Sequence, residues 1–303
     1  MDLENGFLLN HEDLVDAGGA VRITALPTGT PSTNINDLDH STAVLGVVLA
    51  TDNNKGIVGI APNVQAFAAS LGPGTASDFA ARLDNTLIRI WLNPNFGLST
   101  VVLIEHQDSF GGPVETDLFV RSTIRELTRS GFTVIVPAGN GGHDLDVFDN
   151  GRGRIFDRNS PAFFDSGAIM VSGANPGLNS RYVGAARGPS CHGNRIDCFA
   201  WGDGIMTASA KAVVPGGLSG YTDGFTSISP LFGGMSGASA IIAGAAILLQ
   251  SLHLKRHGSF LSSADVRRLL KDITFNTQPA PADVGRIGVM PDLQRLAQEI
   301  DVA

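Results

Sequence analysis

The sequence predicts an α/β fold: a three-layer sandwich with a mostly parallel central sheet flanked on both faces by helices. Two observations carry this. Continuous apolar runs of strand length alternate with stretches whose apolar residues recur at helical spacing, and that alternation implies right-handed crossovers between parallel strands. Glycine is also abundant, 37 of 303 residues, so many backbone positions must be tight turns or close contacts.

The elements follow in order. Residues 64–71 partly alternate and run into Gly72-Pro73-Gly74, which suits a strand and a turn. Ser77 offers an N-cap to a helix carried by Phe79, Leu83, Leu87, Ile90 and Trp91 and ended by Pro94. Residues 100–105 form an uninterrupted apolar strand of the kind buried in parallel sheets. Leu118, Phe119, Ile124 and Leu127 mark the next amphipathic helix, closed by Gly131. Two further buried strands fall at residues 132–137 and 168–172. Residues 237–252 are apolar nearly all round, which places that helix at the centre. The helix over residues 262–273 opens on Ser262-x-x-Asp265 and is expected to turn Arg267, Arg268 and Lys271 outward. Pro291 begins a last short helix. No linker, repeat or low-complexity tract divides residues 1–303, and a single domain is expected.

Charge excludes one large class of partner. With 21 basic and 29 acidic residues the chain carries a formal charge of −8, which repels phosphate backbones and anionic lipid surfaces, so neither nucleic acid nor a membrane is expected as a partner. The longest apolar stretch, residues 238–249, is shorter than a spanning helix requires. Cys191 and Cys198 match no metal knuckle and stand either as a local bridge or as two buried thiols.

Chemistry concentrates in three segments. His40-Ser41-Thr42-Ala43-Val44-Leu45-Gly46 opens an apolar helix with a histidine, and Gly233-Gly234-Met235-Ser236-Gly237-Ala238 opens another with a serine. Between them, residues 134–142 run from a buried strand into a glycine-rich loop holding Asn140, at the sheet end where α/β sites form. Singly, each has a structural explanation: a hydrogen-bonded core histidine, close packing by small residues, a turn asparagine. Together they supply a nucleophile, a base and an oxyanion donor. Other designs fit poorly. An α/β-hydrolase runs serine, acid, histidine, yet no acid lies between Ser236 and His253 or His257. His11-Glu12-Asp13-Leu14-Val15 lacks the second histidine of a zinc protease, and Gly139-Asn140-Gly141-Gly142 lacks the last glycine of a dinucleotide loop.

At these residues the chain resembles the subtilisin-like serine peptidases, the subtilases. His40-Ser41-Thr42-Ala43-Val44-Leu45-Gly46 with Gly56-Ile57-Val58-Gly59-Ile60-Ala61-Pro62 is similar to the family's histidine block H-G-T-x-V-A-G and its G-V-A-P turn. Pro137-Ala138-Gly139-Asn140 resembles the oxyanion block A-A-G-N, and Gly234-Met235-Ser236-Gly237-Ala238-Ser239-Ala240 the serine block G-T-S-x-A-x-P. Asp2, with His11-Glu12-Asp13-Leu14 after it, takes the place of the family's strand-ending aspartate and its H-P-D-L segment.

The resemblance implies a serine endopeptidase acting through an acyl-enzyme. Ser236 would be the nucleophile, His40 the general base and then acid, Asp2 the orienting carboxylate and Asn140 an oxyanion donor. It also implies polypeptide substrates, export from the cell, a monomer, no cofactor for the chemistry, and structural calcium at sites the acidic loops do not define. Asp2-Leu3-Glu4 stands for D-T-G, and Met235 replaces a threonine that could organise the serine turn. Glu105-His106-Gln107 occupies what many relatives use as a Ser-Leu-Gly substrate edge. One methionine precedes Asp2, so the family's first strand, propeptide and signal are expected to be missing. The alternative is a catalytically impaired or truncated chain of this fold serving as a binding module, distinguished by whether a carboxylate docks near His40.

Overall fold

The first residues pair into the sheet at once, although two of the three are acids of low strand propensity. In the computed structural model, which describes residues 1–72, 78–149, 151, 153–184, 188–210, 221–222 and 232–302, Asp2–Glu4 form strand β1. The strand expected to be missing is therefore present. It lies inside the sheet, paired in parallel with β3 (Ala66–Ser70) on one side and β4 (Val101–Ile104) on the other.

With β2 (Ile23–Leu26), β5 (Thr133–Pro137), β6 (Ile169–Ala174) and β7 (Cys198–Trp201), these strands form a seven-stranded parallel sheet in the order β2-β3-β1-β4-β5-β6-β7. β8 (Thr207–Ala208) and β9 (Tyr221–Thr222) pair separately and antiparallel. The partly alternating strand at residues 64–71 is β3, and the three runs read as buried strands are β4 to β6, each within the predicted span or one or two residues of it.

Side chains alternate across this sheet and so feed two cores. On one face, Ala66, Val101, Leu103, Ile135 and Ile169 pack against α1 (Ile35–Leu49), α4 (Gly234–His257), α5 (Ser263–Lys271) and α6 (Leu293–Val302). On the other, Leu3, Val102, Ile104, Val134 and Val136 meet α2 (Phe79–Trp91) and α3 (Leu118–Arg129). These are the three layers the sequence predicts. α4 satisfies the length and apolarity of a membrane-crossing helix, but 67% of its most apolar window is buried, as befits a core helix.

Several local expectations are revised. The turn through Pro73 and Gly74 and the cap at Ser77 lie outside the described residues, and Asp78 occupies the N-cap of α2. In α3 the buried face is Val120, Arg121, Ile124 and Leu127, while Leu118 and Phe119 are exposed. Ser262 does cap α5, accepting from the Asp265 N–H at 3.1 Å, yet Arg267 points inward. It binds Asp165 at 2.8 Å and Asp197 at 3.0 Å. Counting charges on a helix face cannot reveal carboxylates waiting on another element. Pro291 precedes α6, and Asp292 accepts the Gln294 and Arg295 N–H groups as its cap. Cys191 and Cys198 are buried free thiols.

Candidate active site

The carboxyl ends of β1, β4 and β5 open onto the face covered by α1 and α4, where a parallel sheet leaves room for a ligand. α1 starts earlier than the sequence suggests: Asn34 caps it by accepting the Asn36 N–H at 2.9 Å. His40 consequently sits within the helix, not at its mouth. Gly46, further along the same helix, is obligatory, because an added Cβ would fall on Thr207 and within 2.9 Å of the Ala208 nitrogen. α4 begins beside the sheet through Gly234, whose φ of +72° favours glycine and whose N–H donates to Gly202 O at 2.8 Å. That turn leaves Ser236 in the first turn of the helix.

These placements bring residues 196 positions apart together. His40 Nε2 lies 2.9 Å from Ser236 Oγ. The other ring nitrogen, Nδ1, lies 2.6 Å from Glu4 Oε1. The Phe232 ring packs edge-on at 5.7 Å and braces the imidazole. With the carboxylate accepting from Nδ1–H, Nε2 presents its lone pair to the serine hydroxyl, the tautomer a general base requires. The Glu4 side chain is only 5% exposed against 36% for His40, so the acid is held behind the base.

The carboxylate expected at this position was Asp2, and the structure corrects that. Asp2 and Glu4 share one face of β1, since alternate residues point the same way. Glu4 ends the strand level with His40; Asp2 lies about 6.6 Å further back, two strand residues away. There it borders a small, mainly apolar cavity with Leu45, Val48, Leu103 and Ala243. Asp2 is buried, and neither carboxyl oxygen has a hydrogen-bond partner. Burial first, then the neighbouring Glu4, pushes its pKa well above the usual carboxylate range. A usable signal was Gly6. Its position two residues after Glu4 reproduces the acid-x-Gly spacing, and a Cβ there would strike the Ser32 backbone.

Asn140 reaches the serine turn through the left-handed Gly139, φ +98°. Its Oδ1 accepts the Met235 N–H at 3.1 Å, and this fixes the amide orientation. The Nδ2 group donates to Gln107 Oε1 at 3.1 Å, leaving a second N–H for the cleft. The turn thus gains from Asn140 the support that a threonine at position 235 could have given. His40, Glu105, His106, Gln107, Pro137, Asn140 and Ser236 line a cleft of about 220 Å³. Glu105 was noted in the sequence only as part of a substrate edge; here its buried carboxyl faces the serine. Among the described residues no group of three or more His, Cys, Asp or Glu is arranged to hold a metal.

Known proteins resemble this chain in sequence and in fold. The family model described as "Subtilase family" matches residues 3–284. Subtilisin DY of Bacillus licheniformis is 27% identical over 90% of this chain and 82% of its own length. Alkaline elastase YaB of Bacillus sp. (strain YaB) is 26% identical over 88% of this chain, which spans 57% of it. Subtilisin E of Bacillus subtilis (strain 168) is 24% identical over 83% of this chain, which spans 55% of it. Among solved structures, a cold-adapted subtilisin-like serine proteinase superposes with a TM-score of 0.61 at 18% identity, covering 95% of this chain and 85% of its own. The self-cleaved protease domain of PatA superposes at 0.62 and 18% identity, covering 100% and 96%. Those two likenesses establish the fold, and the match over residues 3–284 establishes the family: this chain belongs to the subtilase family, the S8 serine-type endopeptidases, which need no cofactor for their chemistry.

Proposed function

We propose that the chain cleaves polypeptides through an acyl-enzyme formed on Ser236, with His40 as base and Glu4, in place of Asp2, as the orienting acid. The observation that supports this most is the unbroken series Ser236–His40–Glu4, with contacts of 2.9 and 2.6 Å.

In the first step Ser236 Oγ attacks the scissile carbonyl carbon while His40 Nε2 takes the hydroxyl proton. The imidazolium then faces Glu4, and a buried carboxylate at 2.6 Å offsets its charge. The carbonyl oxygen, now anionic, accepts from the free Asn140 N–H and from the Ser236 backbone N–H. Collapse breaks the C–N bond, and His40 returns its proton to the leaving amine. Water, activated by the same imidazole, hydrolyses the ester and restores the serine. Burial pushes Glu4 upward in pKa, whereas the Nδ1–H bond favours its ionised form. Ionisation matters here, because a protonated Glu4 would donate to Nδ1 and leave Nε2 carrying the hydrogen.

The test is labelling with a fluorophosphonate. Stoichiometric modification of Ser236, absent in Ser236→Ala, is expected; an unlabelled intact protein overturns the proposal. The binding-module alternative is not favoured by the series of hydrogen bonds. A monomer and an exported location, carried over from the resemblance, belong to the same proposal. Light scattering and fractionation of the source cells test them, a stable dimer or a purely cytosolic pool counting against each.

A further inference from the structure

One buried group in the cleft has no part in that mechanism. Val101 and Leu103 of β4 point to the α1 and α4 face, so alternation turns Glu105 the same way. The Glu105 N–H donates to Leu3 O at 3.4 Å, continuing the pairing of Asp2 with Leu103 and Leu3 with Ile104. Glu105 therefore stands beside Glu4, one strand spacing or about 4.8 Å away. Its residue is 4% exposed, it lines the cleft, and both carboxyl oxygens lack a partner at hydrogen-bond distance.

The groups that face it come from every neighbouring element. β1 supplies Glu4 and Asp2, α1 supplies His40 and α4 supplies Ser236. β5 contributes uncharged Pro137, and the adjoining His106 is held neutral by burial, its pKa lowered to about 3. Adjacent buried carboxyls do not all ionise together. Glu4 has the imidazole N–H at 2.6 Å to stabilise its charge; Glu105 faces only the Ser236 hydroxyl, whose effect is outweighed by burial and by the charge of Glu4. Burial first, then Glu4, raises the Glu105 pKa well above the usual range.

A neutral carboxyl carries one O–H, and the hydroxyl facing it is Ser236. We propose that Glu105 is a positioning residue for the nucleophile, its neutral carboxyl donating to Ser236 Oγ so that the serine proton points at His40 Nε2, and its carboxylate form capturing that proton instead. Ionisation then turns the hydroxyl away from the base without moving the backbone. Because Glu105 must be neutral, reactivity is present below its titration and lost as pH rises through it. The inference rests on the proposed peptidase mechanism.

The test is the rate of fluorophosphonate labelling of Ser236 from pH 6 to 10 in the unaltered chain, Glu105→Gln and Glu105→Leu. The unaltered chain is expected to lose rate about tenfold per pH unit on its alkaline limb. Glu105→Gln, which donates but cannot ionise, is expected to lack that limb, and Glu105→Leu to be slower by tenfold or more across the range. Superimposed profiles for the unaltered chain and Glu105→Gln overturn the inference while leaving Ser236 a nucleophile. Failure of the unaltered chain to label at any pH overturns both. Should the variants not fold, carbon-13 NMR of glutamate carboxyls in the unaltered chain decides: a Glu105 carboxyl titrating with the alkaline limb supports the inference, and one already ionised at the pH of fastest labelling overturns it.

Discussion

Exchanging Glu4 for glutamine separates the two acids of β1 most sharply. The replacement is isosteric, but its amide can present N–H groups to His40 Nδ1 at a contact that is now 2.6 Å. The imidazole would then place its hydrogen on Nε2, facing Ser236 with no lone pair to offer. Loss of the correct tautomer costs about 10⁴ in turnover in serine peptidases, or about 5.4 kcal/mol. For subtilisin, a relative of this chain, removing the acid costs about 3 × 10⁴. Glu4→Asp should be intermediate. Retracting the carboxylate by one C–C projection, about 1.2 Å, stretches the contact from 2.6 Å to about 3.8 Å, beyond a hydrogen bond. A displacement of that size costs on the order of 10². Asp2→Asn, by contrast, replaces a buried acid with no partner by a neutral group of the same shape, and kcat should change by less than about threefold. Steady-state hydrolysis of a chromogenic peptide, normalised to titrated serine, reads all three. A chain that tolerates Glu4→Gln and dies on Asp2→Asn would refute the assignment.

Two further predictions concern stability. The folded-state pKa values of Asp2 and Glu105 lie above their unfolded values, so the native chain binds more protons and stability falls as pH rises through that window. Each group contributes a slope of up to about 1.4 kcal/mol per pH unit; urea melts of Asp2→Asn between pH 5 and 9 should show a shallower decline, and curves parallel to the unaltered chain's would contradict it. Arg267→Met leaves Asp165 and Asp197 without one of their partners and should cost about 3 to 5 kcal/mol in chemical denaturation near pH 7, a loss below about 1 kcal/mol counting against a structural role.

Fold and site were unequally legible in the sequence. β4 and β5 are buried on both faces, so their apolar runs are continuous and announce a parallel sheet. Ser262 shows itself as a cap because the interaction is local, with Asp265 three residues on. Ser236, His40 and Asn140 could be picked out because each sits in a turn or helix with small neighbours. The acid was harder to choose: Asp2 and Glu4 share a face of β1, and they are distinguished by the Glu4-x-Gly6 spacing and by the level at which α1 crosses the sheet. Arg267 failed for a related reason, since its partners Asp165 and Asp197 lie 102 and 70 residues away. Glu105 reads in the sequence as the end of an apolar strand and part of a substrate edge, and only its register beside Glu4 shows that its carboxyl turns inward.

The location of β1 has a consequence for how the chain reaches this state. β1 is paired on both sides with strands far along the chain from it, Asp2 with Ala68 and with Leu103. No local hairpin can hold it in the meantime. Closing such long loops is entropically unrewarded until both sides arrive, so assembly should be slow and the acid delivered to the imidazole late. Proteolytic competence would then emerge only after the middle of the sheet has knitted together, sparing the unfinished polypeptide from its own activity.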